Sequence, residues 1–319
     1  MEALPFTCRS LRMRRCFHLV LLLLSACSAR AEAQGKESPT AKVVESAPAP
    51  KPITKPEPPK PAVKPPTYAW LDGKVPGSTL LERFPAPLGS KRVEVAPGSF
   101  GHFLRTLPLL PAGTPVRSFA GGVIHAGDHA NVAAVADLDV GTHDLQQCAD
   151  SVLRLHAEWR WSQGKTDAHY KTGSGLVLAF DRYLAGERLH VANGDVKLVT
   201  SAAKKPASHA LYRTWLDDVF GWANTGSLAK EATPVAVADL APGDFFVMPG
   251  SPFGHAVLVL DAVEAQGQKR VLLGQGFMPA QSFHVLADGG PWFTVDVAAG
   301  SMKTPFWKPF PFSSLRRLP

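Results

Sequence analysis

The second half of the chain alternates short apolar runs with Gly, Pro and Asp turns, a pattern typical of β-strands. It predicts strands over 245–248, 255–263, 270–276, 283–286 and 292–297. Earlier, one apolar stripe with steps of three and four positions predicts an amphipathic helix; its members are Leu145, Cys148, Val152, Leu155 and Trp159. Asp144 and Gln147 have the spacing of a capping box, so the helix is expected to begin there and to end at Gly164.

Shorter patterns add further elements. Helices are predicted over 80–84, 100–107 (with Ser99 as N-cap) and 212–222, and a buried strand over 131–140. The segments 176–183 and 189–198 have mixed patterns. Helical segments dominate early and strands dominate late. This order predicts an α+β domain, with helices packed on one antiparallel sheet.

The N-terminus has the pattern of an export signal. Four arginines at positions 9, 12, 14 and 15 precede a mostly apolar run over 17–26, which is too short to span a bilayer. The run ends in Leu24-Ser25-Ala26-Cys27, which matches the bacterial lipobox. We therefore expect residues 1–26 to be a signal peptide and Cys27 to be acylated. Acylated Cys27 would anchor the protein to a lipid membrane.

A tether is predicted to follow the anchor over residues 27–67. Nine of the nineteen residues in 48–66 are prolines, which prevents helix and sheet and favours an extended polyproline II chain. Such a segment could extend roughly 60 Å. The remaining residues, 68–319, are predicted to form a single globular domain.

Charge argues against nucleic acid as a partner. The net charge of the whole chain is +7, of which +3 belongs to residues 1–26 and +3 to residues 28–67, which leaves +1 for 68–319. A nearly neutral domain lacks the basic surface that phosphate backbones require. The expected location is the bacterial cell envelope, with the outer membrane facing the periplasm favoured by Ser28 after the lipid cysteine.

Cys148 is the single cysteine of the predicted domain, because Cys8 and Cys16 lie in the signal and Cys27 is the lipid site. One interpretation is a small buried residue on the apolar stripe. The other is a nucleophile in the first helical turn, where the helix dipole and free N–H groups favour a thiolate. The cysteine alone does not decide between them.

A histidine motif favours the nucleophile. The segment Pro242-Gly243-Asp244 precedes a strand, and Gly254-His255 opens the next apolar strand. This arrangement resembles the NlpC-like, papain-related cysteine peptidases of bacterial cell walls. The resemblance covers about 130 residues and implies a papain-like fold. It also implies a catalytic pair of Cys148 and His255, with a polar residue on the next strand orienting the imidazole.

Gln275 is the best position for that polar residue, with Gln281 and His284 as rivals. A turn centred on Ala265 would place His255 opposite Gln275. Gln146 or Gln147 could donate to an oxyanion.

The surroundings of the cysteine depart from the NlpC-like pattern. Gln147 precedes Cys148, and Ala149-Asp150 follows it, where that family usually has an acidic residue before the cysteine and Ser-Gly after it. The chain also resembles an uncharacterised family of bacterial lipoproteins, a likeness that implies no known activity. It is carried by the segments 144–150, 250–252 and 278–281.

Two functions remain open from the sequence. The first is a thiol hydrolase that acts on amide bonds, with peptidoglycan stem peptides as the expected substrate. The second is a non-catalytic envelope lipoprotein that binds cell wall or protein partners. No cofactor is expected. His125, Asp128 and His129 are interpreted as a polar loop rather than a metal site.

Overall fold

The computed structural model describes residues 68–75, 77–250 and 252–319. The predicted signal peptide, Cys27 and the predicted tether lie outside these residues. All described residues fall within one compact unit, Lys60–Pro319. None of the helices in the described ranges is both long and apolar enough to cross a membrane.

The described residues contain six α-helices. They are α1 Leu80–Arg83, α2 Phe100–Arg105, α3 Cys148–Ser162, α4 Phe180–Leu184, α5 His209–Trp222 and α6 Thr225–Glu231.

The same residues contain nineteen strands, most of them short. They are β1 Ser78–Thr79, β2 Lys91–Arg92, β3 Pro108–Leu109, β4 Val116–Arg117, β5 Val123–His125, β6 Val132–Val135, β7 His169–Lys171, β8 Val177–Ala179, β9 Glu187–Ala192, β10 Asp195–Thr200, β11 Thr233–Pro234, β12 Phe245–Met248, β13 His255–Ala265, β14 Gln268–Gln275, β15 His284–Leu286, β16 Trp292–Thr294, β17 Ser301–Met302, β18 Phe310–Pro311 and β19 Leu315–Arg317.

One antiparallel sheet of nine strands organises the fold. Its order is β11-β19-β12-β13-β14-β15-β6, with β16 pairing with β14 and β2 pairing with β13. Five two-stranded ribbons surround it in the described part of the chain: β1-β3, β4-β5, β7-β8, β9-β10 and β17-β18. Many short strands with few helices contradict the predicted papain-like architecture, in which helices cover one sheet. That fold prediction is wrong.

The reason for the error lies in the mixed segments and in the short helices. Where the pattern was mixed, β9 and β10 form a hairpin around Asn193 and Gly194, whose φ angles of 53° and 82° suit a tight turn. Helices α1 and α2 were predicted correctly but have only four and six residues, so they add little helical surface.

The two faces of the sheet have different partners. On the first face, Ala256, Leu258 and Leu272 pack with residues of α3 and α5. On the second face, strand neighbours such as Val257 and Val259 pack with the hairpin formed by β17 and β18. The alternation of side chains along β13 separates these two cores.

Candidate functional site

Helix α3 begins at Cys148, three residues later than the capping box at Asp144 predicted. Gln147 is the N-cap, and Asp150 occupies the capping-box position three residues later. The Gln147 N–H donates to Asp150 Oδ2 over 3.1 Å. The capping box is therefore Gln147 with Asp150. Asp144 instead accepts from Gln147 Nε2 at 3.0 Å and from the Ala280 N–H at 2.6 Å.

The thiol of Cys148 is buried against the start of β13. Its sulfur lies 3.9 Å from the carbonyl oxygen of Gly254, to which the thiol donates. Burial, together with the nearby Asp150 carboxyl group, raises the pKa of Cys148 to about 11. The backbone N–H groups of Ala149 and Ala256 oppose this by lowering the pKa. The thiol is therefore neutral at pH 7.

His255, the first residue of β13, belongs to a buried series of hydrogen bonds. His255 Nε2 lies 2.7 Å from Gln275 Oε1, and Gln275 Nε2 lies 3.3 Å from His284 Nε2. His284 Nδ1 lies 3.0 Å from the carbonyl oxygen of Ser282. Both histidines are fully buried, and Gln275 is nearly so.

The series determines which ring nitrogens carry protons. A carbonyl oxygen can only accept, so His284 Nδ1 carries a hydrogen and Nε2 of this neutral ring accepts from the Gln275 amide. Gln275 Oε1 therefore accepts from His255 Nε2–H. Burial lowers the pKa of both His255 and His284 to about 4, so both rings are neutral at pH 7. The lone pair of His255 thus lies on Nδ1.

The thiol and the imidazole both lie at the same end of the sheet. Pairing of β13 with β14 stops at Leu258 and Gly274. Beyond that point the N-terminus of α3 approaches Gly276, where an added Cβ would lie 2.2 Å from Ser151 Oγ. His255 and Gln275 bond across this end on the second face, while α3 packs on the first. No hydrogen bond joins the thiol to the imidazole.

The register differs from the sequence prediction. The turn lies at Gln266 and Gly267, and a bulge interrupts the pairing between Val259 and Asp261. Following the register of Leu258 with Gly274, His255 is not directly opposite Gln275. The predicted direct pairing is wrong, but the two side chains still reach each other diagonally.

Aromatic rings cover the second-face side of His255. Phe277, Trp307 and Phe310 lie with ring centroids 4.8, 5.0 and 5.9 Å from the imidazole. Trp307 belongs to the tip of the hairpin formed by β17 and β18. His255 Nδ1 and Trp307 Nε1 are both buried, and neither has a hydrogen-bond partner among the described residues.

A cavity of about 680 Å³ opens beside the thiol. Its walls come from the start of α3, the end of α5 and the start of α6. The loop before β13 and the segment after β14 complete them. The described residues that line it are Asp144, Leu145, Gln147, Cys148, Ala149, Asp150, Phe220, Gly221, Ala223, Asn224, Thr225, Gly226, Pro249, Gly250, Pro252, Phe253, Gly254, Met278 and Pro279. The cavity is large enough for a small peptide segment.

The two oxyanion candidates differ in their surroundings. Gln146 is fully buried: its Oε1 accepts from Arg154 at 2.8 Å, and its Nε2 donates to the Asp139 carbonyl at 3.2 Å. Its amide is therefore committed to the structure. Gln147 lines the cavity beside Cys148. An oxyanion role stays a prediction for Gln147.

The other singled-out residues lie away from the thiol. The rings of His125 and His129 have centroids 4.6 Å apart and pack on Phe306. In the part of the chain that the structure describes, no three His, Cys, Asp or Glu side chains form a group able to hold a metal ion. Gln281 is buried, and its Oε1 has no described partner.

Comparison with known proteins places the chain in a family. A model described as a domain of unknown function (4846) matches residues 80–317. The chain belongs to this family. Neither the curated proteins nor the solved structures contain a match. Membership confirms that the domain is of an uncharacterised type, whereas the match says nothing of a lipoprotein or of NlpC-like peptidases.

Two residues near the site were not predicted to have a role. Asp150 is buried in the first turn of α3, and Trp307 covers His255. The three-residue spacing between Gln147 and Asp150 is that of a capping box and could have indicated the role of Asp150. Trp307 follows a run of irregular sequence, and no local pattern links it to His255.

Proposed function

We propose that this chain is a cell-envelope thiol hydrolase that cleaves amide bonds. Cys148 is the nucleophile, His255 accepts its proton, and Gln275 orients the imidazole. The proposal makes no use of a papain-like fold and depends only on the local arrangement of these residues.

The single observation that carries the proposal is the lone pair on His255 Nδ1. Gln275 holds Nε2 as the donor, which leaves Nδ1 as the basic atom, and Nδ1 has no partner among the described residues. A buried nitrogen without a partner costs free energy, unless it serves a reaction or binds water. The thiol donates to Gly254, the residue just before His255. A general base of this kind activates thiols in many hydrolases.

The reaction proceeds in two steps. The thiol and the imidazole lie on opposite faces at this end of the sheet, so the first turn of α3 and the covering Trp307 must shift before the two groups meet. The thiol proton then moves to His255 Nδ1 while the sulfur bonds to the acyl carbon. The amide C–N bond breaks as the imidazolium returns the proton to the leaving nitrogen. Water then attacks the thioester with His255 again accepting a proton, which releases a carboxylic acid and restores the thiol.

The proposed substrate is an amide of the peptidoglycan stem peptide. The sequence supports this through its export signal and through the lipobox at Cys27, which would anchor the protein in the envelope. The proposed setting is the outer membrane facing the periplasm. From there a proline-rich tether could carry the domain to the cell wall.

Two observations favour a second function. The thiol has its pKa raised to about 11 by burial, and the imidazole is covered by Trp307. A non-catalytic envelope protein that binds cell wall or protein partners would have no need of a more reactive pair. The same cavity would then serve for binding alone.

The deciding experiment uses the full chain with purified peptidoglycan fragments. Released amines are quantified, and mass spectrometry is used to look for an acyl group on Cys148. Cys148→Ala should reduce hydrolysis by at least about a thousandfold. The matched control is Ser162→Ala, at the other end of α3, which should hydrolyse like the unaltered chain.

Equal hydrolysis by Cys148→Ala and the unaltered chain would overturn the proposal. Binding of the fragments with no hydrolysis and no acylated Cys148 would also overturn it, and would support the second function.

A further inference from the structure

The cavity beside Cys148 is lined by acidic but not by basic side chains among the described residues. Asp144 and Asp150 are the acidic side chains among its described lining residues, and none of those residues is Lys, Arg or His. The remaining walls are neutral, with Phe220, Phe253 and Met278 among the apolar ones. This chemistry disfavours an anionic ligand and favours one that supplies hydrogen-bond donors.

Asp150 is the lining residue whose side chain has a buried oxygen atom without a hydrogen-bond partner among the described residues. Its side chain is buried, and Oδ2 is taken by the Gln147 N–H at 3.1 Å. Its Oδ1 is buried and has no hydrogen-bond partner among the described residues. Burial raises the pKa of Asp150 to about 8. An unpaired buried carboxylate oxygen is unfavourable, and a cationic donor would satisfy it.

The start of α3 does not provide a competing site for anions. The backbone N–H of Asp150 lowers the pKa of its own carboxyl group, and the Ser151 N–H donates to the Gln147 carbonyl at 3.0 Å. The N–H groups of Cys148 and Ala149 lower the pKa of the thiol and therefore point at the sulfur. The donors of the first turn are thus already in use.

Asp144 adds negative charge where the cavity meets solvent. Its Oδ1 accepts from Gln147 and Ala280, which fixes the carboxylate at the cavity wall. The side chain is exposed, so its contribution is a screened long-range attraction.

We propose that the cavity recognises an ammonium group of the substrate, which Asp150 binds and Asp144 attracts. This inference rests on the proposed function in that it takes the thiol cavity as the substrate site. The substrate class is therefore a peptide that carries a free side-chain or terminal amine near the scissile amide.

The test measures binding without turnover. Full-length Cys148→Ala is titrated calorimetrically at pH 7 with acetyl-Ala-Lys-Ala-amide and with the norleucine peptide, which has the same chain length but no ammonium. The lysine peptide should bind roughly tenfold more tightly. Its binding should release a proton, because the bound ammonium favours the ionised form of Asp150.

Asp150→Asn in the same background should remove both the preference and the proton release. Asn keeps an oxygen for the Gln147 N–H, so the cap is preserved. Asp195→Asn, on the exposed strand β10, is the matched control and should retain both effects. Asp144→Asn, also exposed, should weaken the preference only twofold to threefold, by roughly the size of a surface charge effect.

Equal affinity for the two peptides, or a preference that survives Asp150→Asn, would overturn the inference. Because no hydrolysis is measured, this result is separate from the fate of the proposed function. Hydrolysis with no lysine preference would keep the hydrolase and remove the ammonium site. A lysine preference with no hydrolysis would keep the ammonium site and remove the hydrolase.

Discussion

The proton positions on His255 and His284 follow from one carbonyl group. Ser282 accepts from His284 Nδ1, and each later bond in the series takes its direction from that one. Gln275 joins the two rings, because its Oε1 accepts from His255 and its Nε2 donates to His284. A leucine of similar size would fill the space but break the series at both sides.

Gln275→Leu should therefore destabilise the protein by about 2–4 kcal/mol, because it leaves His255 Nε2–H and His284 Nε2 buried without partners. Urea unfolding would measure the change. Gln281→Leu is the control: Gln281 is equally buried, but its Oε1 has no described partner, so its replacement should cost clearly less. Similar losses for the two variants would show that the hydrogen-bond series contributes little.

At the scale of elements, the site depends on how closely α3 approaches the end of β14. The approach occurs at Gly276, just after the last residue of β14. A Cβ there would lie 2.2 Å from Ser151 Oγ and 2.9 Å from the carbonyl oxygen of Gln147. The absence of a side chain at Gly276 is what allows Cys148 to reach the start of β13.

Gly276→Ala should push the first turn of α3 away from the sheet and destabilise the protein by about 1–3 kcal/mol. It should also reduce hydrolysis, because Cys148 moves with that turn. Gly221→Ala is the matched control for stability: it lies in α5, and an added Cβ there would meet nothing within 4 Å. That change should be neutral or stabilising by up to about 1 kcal/mol. Thermal unfolding of both variants would check the contrast, and a Gly276→Ala protein as stable as Gly221→Ala would contradict it.

Elements with a strong period were predictable from the sequence. The stripe of α3, the amphipathic pattern of α5 and the apolar runs of β12 to β14 all appear close to their predicted positions. The start of α3 was misplaced because Asp144 and Gln147 have the same spacing as the true pair, Gln147 and Asp150. The hairpin of β9 and β10 was missed although Asn193-Gly194 is a strong turn signal.

At the scale of the whole molecule, the sheet could not be predicted from local patterns. It joins β6 and β19, which are separated by most of the described chain, and such pairings leave no mark on either segment alone. The site was predictable in part: Cys148 was placed at a helix start and His255 at a strand start. That Cys148 and His255 lie on opposite faces of the sheet could not be predicted, because the sequence of α3 does not indicate which face it covers.

Buried ionisable groups should give the protein a stability maximum at about pH 7. Burial lowers the pKa of His156 to about 3 and of His255 and His284 to about 4, against 6.5 when unfolded. Below pH 6.5 these histidines are protonated in the unfolded chain but not in the folded protein. Stability therefore decreases as the pH is lowered. Asp150, raised from 3.8 to about 8, offsets one of the three. The net loss is up to roughly 2.7 kcal/mol per pH unit.

Above about pH 7 the sign reverses. The folded protein keeps a proton on Asp150 that the unfolded chain has lost, so stability should decline toward pH 8 by roughly 0.7 kcal/mol per unit. Urea unfolding at half-unit steps from pH 5 to 8.5 would measure both limbs. Asp150→Asn should flatten the upper limb and steepen the lower one. An upper limb unchanged in that variant would show that Asp150 is ionised in the folded state.

The tip of the hairpin between β17 and β18 lays Trp307 over His255 and Phe306 over His125, His129 and His284. This short loop thus covers the buried rings of His255 and His284, whereas His125 and His129 stay half-buried. Reagents that modify histidines would therefore report on the surface rings of the intact protein while passing over His255. Any footprint that does reach His255 would record a moment when this loop has lifted.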